Sequence, residues 1–575
     1  MSFEAGICYF DGLHTSTKTI TFDGRLDNRE ELQSRLGGSF PPDATDAALA
    51  LAAYEKWGID GLAHLVGDWS LAIRDGARKT VVLASDFAGV RPFYYYSDRN
   101  RVVWSTGLQS LVDGLDGADI DEDYAAGFLV NGACANRTLY RGIHSPPPGH
   151  AVSISADSTK IQQFWKLPIG ETIRYRQPSE YEEQLRALFA DAVRCRLRSP
   201  GPVLAELSGG LDSSSIVCMA HQLVQNGSVE NRRIVTLSLE HEGSIDTPFY
   251  TAVEKFCGFE SIHVDVADHP FLTEAPAGSA TPGMGQRLHA HNAEIARRIG
   301  AETYLTGKLG DLVMGNLWDN SDQVAGLLRR GRAAEALRQS LAWSKLLRVP
   351  IWWVLGKAIL SNLPPTLVPS AALPLTDGSN RPRAADDSVV PELRKRIEHA
   401  TSGTWFGHAW KQAPPEHRTY FRGLLEILAL RRLQPPEALE HLLYTHPYAH
   451  RPLVVFLSSI PAEIVCGPGE PRRLMRRAFQ SILPPELHKR RSKDSFGGVY
   501  LDALRPLARM LLQETRPLEV IERGWVEPKS LKKRLELVLH SLDCNESQLC
   551  NIVLLELWLR GRNERPRWKN LSLPA

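Results

Sequence analysis

Val203-Leu204-Ala205-Glu206-Leu207-Ser208-Gly209-Gly210-Leu211-Asp212-Ser213-Ser214-Ser215-Ile216-Val217 decides how this chain is to be read. A short apolar run suited to a buried strand ends in Ser-Gly-Gly and passes into a helical pattern over 213–223. A strand that turns on glycine into a helix N-terminus aims free backbone N–H groups at one spot. The helix dipole adds positive potential there. Gly209 and Gly210 let the backbone approach a ligand with no Cβ in the way, and the hydroxyls of Ser208, Ser213 and Ser214 add donors. The stretch reads as an anion site, with a phosphate chain as the anion. The competing reading is an ordinary strand–turn–helix in which Asp212 and the serines cap the helix. The length of Ser-Gly-Gly-x-Asp-Ser-Ser, well beyond a lone glycine pair, favours the anion site.

Downstream, Arg233–Leu239 and Glu302–Thr306 are two further buried-strand candidates separated by helical patterns. Alternation of this kind predicts a parallel α/β sheet with ligands at the carboxyl ends of its strands. The last of these strands delivers Thr306-Gly307-Lys308-Leu309-Gly310-Asp311-Leu312-Val313-Met314-Gly315. A Walker reading of Gly307-Lys308 fails, because leucine follows the lysine and the upstream glycine spacing is wrong. Asp311 could be a plain helix N-cap, or a second carboxylate facing the phosphate site beside Asp212. Two carboxylates facing a phosphate chain call for a cation between them.

The chain has 575 residues, enough for two or more domains with substantial cores. Its net charge is +1, which argues for neither a nucleic-acid nor a membrane partner. The 8 cysteines are scattered without a CxxC pair or a ligand-spaced cluster, the usage of a reduced, cytoplasmic protein without structural zinc. The N-terminus lacks the features of a signal peptide. The greasiest stretch, Val349 to Leu363, contains Pro350 and Lys357 and is too short for a bilayer.

The Ser208–Ser214 loop resembles the pyrophosphate loop of the N-type ATP pyrophosphatases, in the variant found in asparagine-synthetase-like enzymes. The resemblance implies ATP cleaved between its α- and β-phosphates, a carboxylate adenylylated, and pyrophosphate resting on Ser208, Gly209, Gly210, Leu211, Asp212, Ser213 and Ser214. It places the adenine near Leu237 and Ser238, and makes Gly307 part of the nucleotide site. The 306–315 stretch resembles the family's Ser/Thr-Gly-x-Gly-x-Asp-Glu-x-x-x-Gly, which assigns Asp212 and Asp311 to Mg²⁺. Two departures stand out: Leu312 replaces the family's glutamate, and Lys308 occupies a position that faces the reacting carboxylate in relatives. Asparagine synthetases carry glutamate there and β-lactam-forming relatives tyrosine, so the resemblance implies a different substrate. Lys308 then either balances charge on the acyl-adenylate or is simply solvated.

Residues 1 to about 165 read as short strands and turns, an α+β domain rich in sheet. Phe22–Leu32, Leu83–Tyr95 and Pro147–His150 resemble segments of the N-terminal glutamine-amidotransferase domain of asparagine synthetases. The implied architecture is an α+β Ntn-glutaminase-like sandwich over 1–170, followed by an α/β N-type ATP pyrophosphatase domain over 171–575. The glutaminase chemistry is expected to be absent. Active members use a cysteine after the initiator methionine, where this chain has Ser2, and Cys8 is too far along. Asp23 replaces the asparagine of the oxyanion hole, and a carboxylate repels an oxyanion. The loop between Phe10 and Ile20 is short. Ser2 as an N-terminal hydroxyl nucleophile is the alternative to a pure scaffold.

A variable region, about 319–395, carries no family motif. Trp343, Trp352 and Trp353 sit in a helical pattern that reads as core packing or as a peptide-contact surface, with core favoured, and 363–392 reads as a long connection that could cover the site. Farther on, 446–461 (His-Pro-Tyr…His-Arg-Pro), 468–478 (Pro-Gly-Glu-Pro-Arg-Arg) and 490–496 look most like the lasso-peptide cyclases of this family. That resemblance implies a macrolactam synthetase acting on a leader-free core peptide, with ATP and Mg²⁺, a leader peptidase and a leader-recognition protein. The alternatives are a small-molecule amide synthetase of asparagine- or β-lactam-synthetase type, which Lys308 speaks against, and a non-catalytic scaffold, which the intact 208–214 loop and Asp311 speak against. The joined groups would be the peptide's N-terminal amine and an Asp or Glu side chain. Lys493 matches the lysine that contacts phosphate and the reaction centre. Arg490 and Arg491 gain no such role from the motif, and charge runs are usually solvated faces. Glu426, in the 420–430 helical pattern, is a candidate base or a surface salt bridge. The tail from 544 onward suggests a closing helical layer.

Overall fold

The computed structural model describes residues 5–10, 17–37, 40–41, 43–115, 118–130, 136–170, 173–199, 201–230, 232–273, 279–316, 319–369, 372, 388–393, 409–490, 497–540 and 546–563. Ser2, the shortened loop at 11–16, most of the 363–392 connection, Lys493 and Cys544 lie outside them.

The N-terminal part is two stacked antiparallel sheets. One has five strands in the order Lys18–Leu26, Gly67–Asp75, Thr80–Ser85, His150–Ile154 and Thr159–Gln163. The other has four, Ala5–Tyr9, Arg101–Ser105, Tyr94–Ser97 and Ile143–His144. Period-2 alternation sends Ala72, Val81 and Leu83 toward Tyr95, Val102 and Trp104 of the facing sheet, while Leu71, Ile73 and Val82 face the helix Asp46–Trp57. Cys8, 1% exposed, is one of the residues filling the layer between the sheets.

The second part is built on a five-stranded parallel sheet in the order Glu260–Asp265, Ile234–Glu240, Val203–Glu206, Thr303–Leu305, Leu443–Thr445. Val203 and Ala205 turn to the face covered by Pro178–Arg196 and Leu211–Gln225, and Leu204 to the face covered by Gln286–Ile299. Burial on both faces explains the near-continuous apolar runs of the three central strands. The two edge strands escape a reading from sequence: Glu260–Asp265 is polar and partly exposed, and Leu443–Thr445 is only three residues long. The chain moves outward from Val203–Glu206, then returns to its other side with Thr303–Leu305. The loops leaving those two neighbours diverge and open a crevice at the carboxyl end, the switch point of the sheet.

Among the described residues of the variable region, the α-helices Gln323–Arg329, Ala333–Leu347 and Ile351–Ser361 pack around Val324, Leu327, Trp343 and Val354. Trp343 is core as expected, but Trp352 is 73% exposed, because one face of this short layer meets no other element. C-terminal helices Gly497–Gln513, Pro528–Leu539 and Glu546–Asn563 close the molecule by sharing a core with Tyr94, Val103 and Leu108 of the first part. Among the described residues no helix is long and apolar enough to cross a membrane.

Candidate active site

The loop after Val203–Glu206 is fixed before any ligand arrives. Leu207 N–H donates to the Leu237 carbonyl at 2.8 Å, and the buried Ser238 hydroxyl donates to the Leu207 carbonyl at 2.8 Å. Leu237 and Ser238 thus brace the loop mouth from the neighbouring strand. Gly209 adopts φ +70, and a Cβ there would stand 2.9 Å from the Asp246 carbonyl oxygen, so both conformation and space require glycine. Gly210 precedes the helix Leu211–Gln225 in extended conformation. The hydroxyls of Ser208 and Ser213 lie 3.1 Å apart across the turn, and Ser208 N–H donates to Ser213 Oγ at 3.1 Å. The Ser214 hydroxyl is buried beneath the turn with no hydrogen-bond partner among the described residues.

Asp212 does not cap the helix it opens. No side-chain capping bond is made there, and its carboxylate instead accepts from Arg472. The same guanidinium nitrogen reaches Asp311, on the first turn of Gly310–Val313 at the end of the next strand. Asp311 also accepts from Asn316 Nδ2 at 2.8 Å and does not act as an N-cap. Close approach of the two loops rests on glycines. A Cβ on Gly310 would fall 2.7 Å from Asp212 Cγ, and one on Gly307 3.1 Å from Ser213 N. Tyr448 braces Asp212 from below, its hydroxyl donating to the Asp212 carbonyl at 3.1 Å.

Asp212 and Asp311 therefore already share one cation, the Arg472 guanidinium. Two carboxylates with phosphate oxygens suit Mg²⁺, a hard ion that keeps part of its hydration. Among the described residues no cluster of three or more His, Cys, Asp or Glu could hold a metal, so the remaining ligands would be phosphate and water.

Arg490 departs from the solvated-face reading. It is 5% exposed, donates to the Gly209 carbonyl and to Asp246, and lies 4.3 Å from the Phe249 ring centre. It pins the turn from outside. Glu426 sits on Arg418–Ala429 with its side chain 56% exposed, paired with Arg422 at 2.9 Å, and does not line the cavity described next.

Lys308 points out of the loop into a cavity of about 1230 Å³ between the first part, the parallel-sheet part and the last helix. Tyr124, Ser279, His289, Gln434 and Glu440 contribute to its wall. The ammonium lies 3.5 Å from the Arg432 carbonyl and 5.0 Å from the Tyr444 ring centre. The side chain is exposed toward the cavity; the protein packed around it lowers its affinity for a proton, and Glu206 opposes that. Burial raises Glu206 in turn, against Lys308 and Tyr304. Behind Lys308 runs a relay with one tautomer. His446 Nε2–H donates to Leu433 at 2.7 Å, and Nδ1 accepts from Thr306 Oγ1 at 2.7 Å; that oxygen accepts from Lys308 N–H at 3.2 Å. Burial, with Lys308 nearby, pushes His446 down to about 3 and keeps it neutral.

In the first part, Asp23 is 3% exposed and holds Arg91 through two bonds, at 2.7 and 3.1 Å. Arg91 continues to the Leu442 carbonyl at 2.8 Å, next to the strand Leu443–Thr445. The carboxylate in the oxyanion position is thus part of a tie between the two sheets.

Arg472, Tyr448 and Arg490 were not singled out from sequence as site residues. The available signal was that Tyr448 and Arg472 fall inside the 446–461 and 468–478 segments.

An asparagine synthase family model matches residues 184–560, and a glutamine amidotransferase domain model matches 13–165. The chain belongs to the asparagine synthase family, with an N-terminal glutamine-amidotransferase-type domain, and is an ATP-dependent amide-forming enzyme of that family. It is 25% identical over 513 residues to asparagine synthetase [glutamine-hydrolyzing] 3 of Bacillus subtilis, covering 84% of this chain and 75% of that protein. It is 26% identical to a putative asparagine synthetase of Methanocaldococcus jannaschii, over 53% of this chain and 60% of that one. A solved glutamine phosphoribosylpyrophosphate amidotransferase from B. subtilis is 13% identical, covering 52% of this chain and 72% of its own, with a TM-score of 0.21.

Proposed function

We propose that the protein is an amide synthetase of asparagine-synthetase type that adenylylates a substrate carboxylate other than that of aspartate, and joins it to an amine not released from glutamine. The observation that carries this is Lys308, a cation at the seam between the nucleotide loop and the cavity. A substrate with negative charge at that point gains a cationic partner on the cavity wall. Ser2 in place of the family's cysteine, and Asp23 tied to Arg91, support an amine drawn from the substrate or from solution. ATP would rest on 208–214, with Mg²⁺ held by Asp212 and Asp311 to offset phosphate charge. The cytoplasm supplies both.

A second reading has one specific support. The cavity exceeds the roughly 300–1,000 Å³ of ordinary small-ligand sites, so it offers room for a folded peptide. Under that reading the enzyme closes a lasso-type macrolactam on a leader-free core peptide, with a leader peptidase and a leader-recognition protein supplying the substrate. Holding amine and carboxyl together would provide the proximity such closure needs.

The test is ATP turnover by the purified protein with small amino acids plus ammonia, and separately with a candidate core peptide and its peptidase. AMP and pyrophosphate should appear with one class, and fall by about 10³-fold or more in Asp311→Ala if the site supplies transition-state electrostatics. A peptide product lighter by one water selects the second reading. AMP formation undiminished in Asp311→Ala would sink both.

A further inference from the structure

Arg472 is an unusual occupant of this site. Its backbone sits at φ +54, in the left-handed region that non-glycine residues avoid, and is held there by Arg472 N–H donating to the Gly315 carbonyl at 3.2 Å. The residue is 7% exposed, yet its side chain spans the gap between the Asp212 loop and the Asp311 loop through a single nitrogen. Strained backbone that surrounding structure maintains marks a position with a task.

The charges define the task. Asp212 and Asp311 carry about −2, and the guanidinium returns +1. A bare divalent cation entering the gap would have to evict Arg472 and leave it as a like-charged neighbour. The carboxylates nearest to Arg472 along the chain, Glu470 and Glu463, are already paired with Arg473 and Arg330. A nucleotide changes this. Its phosphates, lying on 208–214, would give Arg472 a new partner at the moment the cation takes the old one, and guanidinium suits phosphate oxygens as well as carboxylates.

We propose that Arg472 holds the cation site in the nucleotide-free enzyme and yields it only when a nucleoside triphosphate arrives, so that divalent-cation binding is conditional on nucleotide. Arg472 is a positioning residue: it keeps the two carboxylates in register, then moves onto the phosphate chain. The inference rests on the nucleotide-binding reading above, and its test does not require turnover.

Mn²⁺ serves as the probe, its binding to the full-length protein followed by electron paramagnetic resonance with and without a non-hydrolysable α,β-methylene ATP analogue. Wild type should bind Mn²⁺ at this site only with the analogue present. Arg472→Gln should bind Mn²⁺ without nucleotide at least ~10-fold more tightly than wild type, because the competing guanidinium is gone. Asp311→Asn should abolish that binding. Equal nucleotide-free affinity in wild type and Arg472→Gln would overturn the proposal, as would folded Arg472→Gln that binds no Mn²⁺. If the variant does not fold, wild type alone decides: a nucleotide-independent Mn²⁺ site lost in Asp311→Asn overturns the inference, and a site seen only with the analogue upholds it. Mn²⁺ binding by Arg472→Gln with no analogue binding by any form would defeat the nucleotide reading and leave the guanidinium's competition with metal intact.

Discussion

Two arginine–carboxylate clusters in this molecule use the same chemistry to opposite ends. At the junction of the two parts, Arg91 and Asp23 are 4% and 3% exposed, and Arg196, fully buried, reaches Asp68 at 3.2 Å and Thr445 at 2.8 Å. Every charge there is enclosed and tied to both sheets. In the crevice, Arg472 and Asp212 are 8% and 10% exposed, but the third member, Asp311, is 55% exposed. One open member makes the second cluster exchangeable. An ion pair closed on all sides acts as a fastener, because separating it strands a charge in low dielectric; one open to water can trade its cation. Depth alone separates a structural element from a candidate site.

The largest effect should come from breaking the closed cluster. Arg91→Ala strands Asp23 and frees the Leu442 carbonyl, and should cost about 3–5 kcal/mol in denaturant unfolding. A loss no greater than that of an exposed pair would remove the distinction between the clusters. Arg472→Gln, whose second partner Asp311 is open to water, should cost less than Arg91→Ala in the same experiment, while changing cation binding strongly.

Acid tests the contrast from another side. His446, beside Lys308, is pushed down to about 3, and His289 and His417 to about 4, in each case mainly by burial. A histidine whose folded value lies below its unfolded value contributes nothing above about pH 6.5, where both states are neutral. Below that, the unfolded chain takes up protons the folded one refuses. Each of these histidines should therefore lower stability by about 1.4 kcal/mol per pH unit as pH drops from about 6.5 toward 4, against the opposite contribution of Asp86 and Glu440, which burial raises to about 7 and about 8. His446→Asn should change the pH dependence by one proton relative to wild type; identical dependence of the melting temperature on pH from 7 to 5 in the two proteins would contradict the neutral relay behind Lys308. The smallest expected effect is at Trp352, 73% exposed, where Trp352→Ala should alter unfolding free energy by no more than about 0.5 kcal/mol.

The sequence carried much of the crevice because its parts are local. The 203–217 stretch places strand, glycine turn, carboxylate and helix within fifteen consecutive residues, and 306–311 does the same for the neighbouring strand. Backbone conformation, and hence the direction of the N–H groups, follows from such short spans. The departures at Ser2, Asp23 and Lys308 were equally legible, since each is a change of chemical type at a recognisable position. Trp352 departs from the favoured core reading because a helical pattern reveals which residues share a face, and not whether anything lies against it.

What the sequence by itself determined, then, was the identity of the two loops, the two-part architecture and the two carboxylates, Asp212 and Asp311, that the loops carry. Only the tertiary structure decided what stands between those carboxylates. Arg472 is 260 positions from Asp212 and 161 from Asp311, and Arg490 is 281 from Gly209. No periodicity or spacing links residues so far apart. They meet because helices and loops far down the chain fold back across the carboxyl end of a parallel sheet, and an ion pair is set by distance in space.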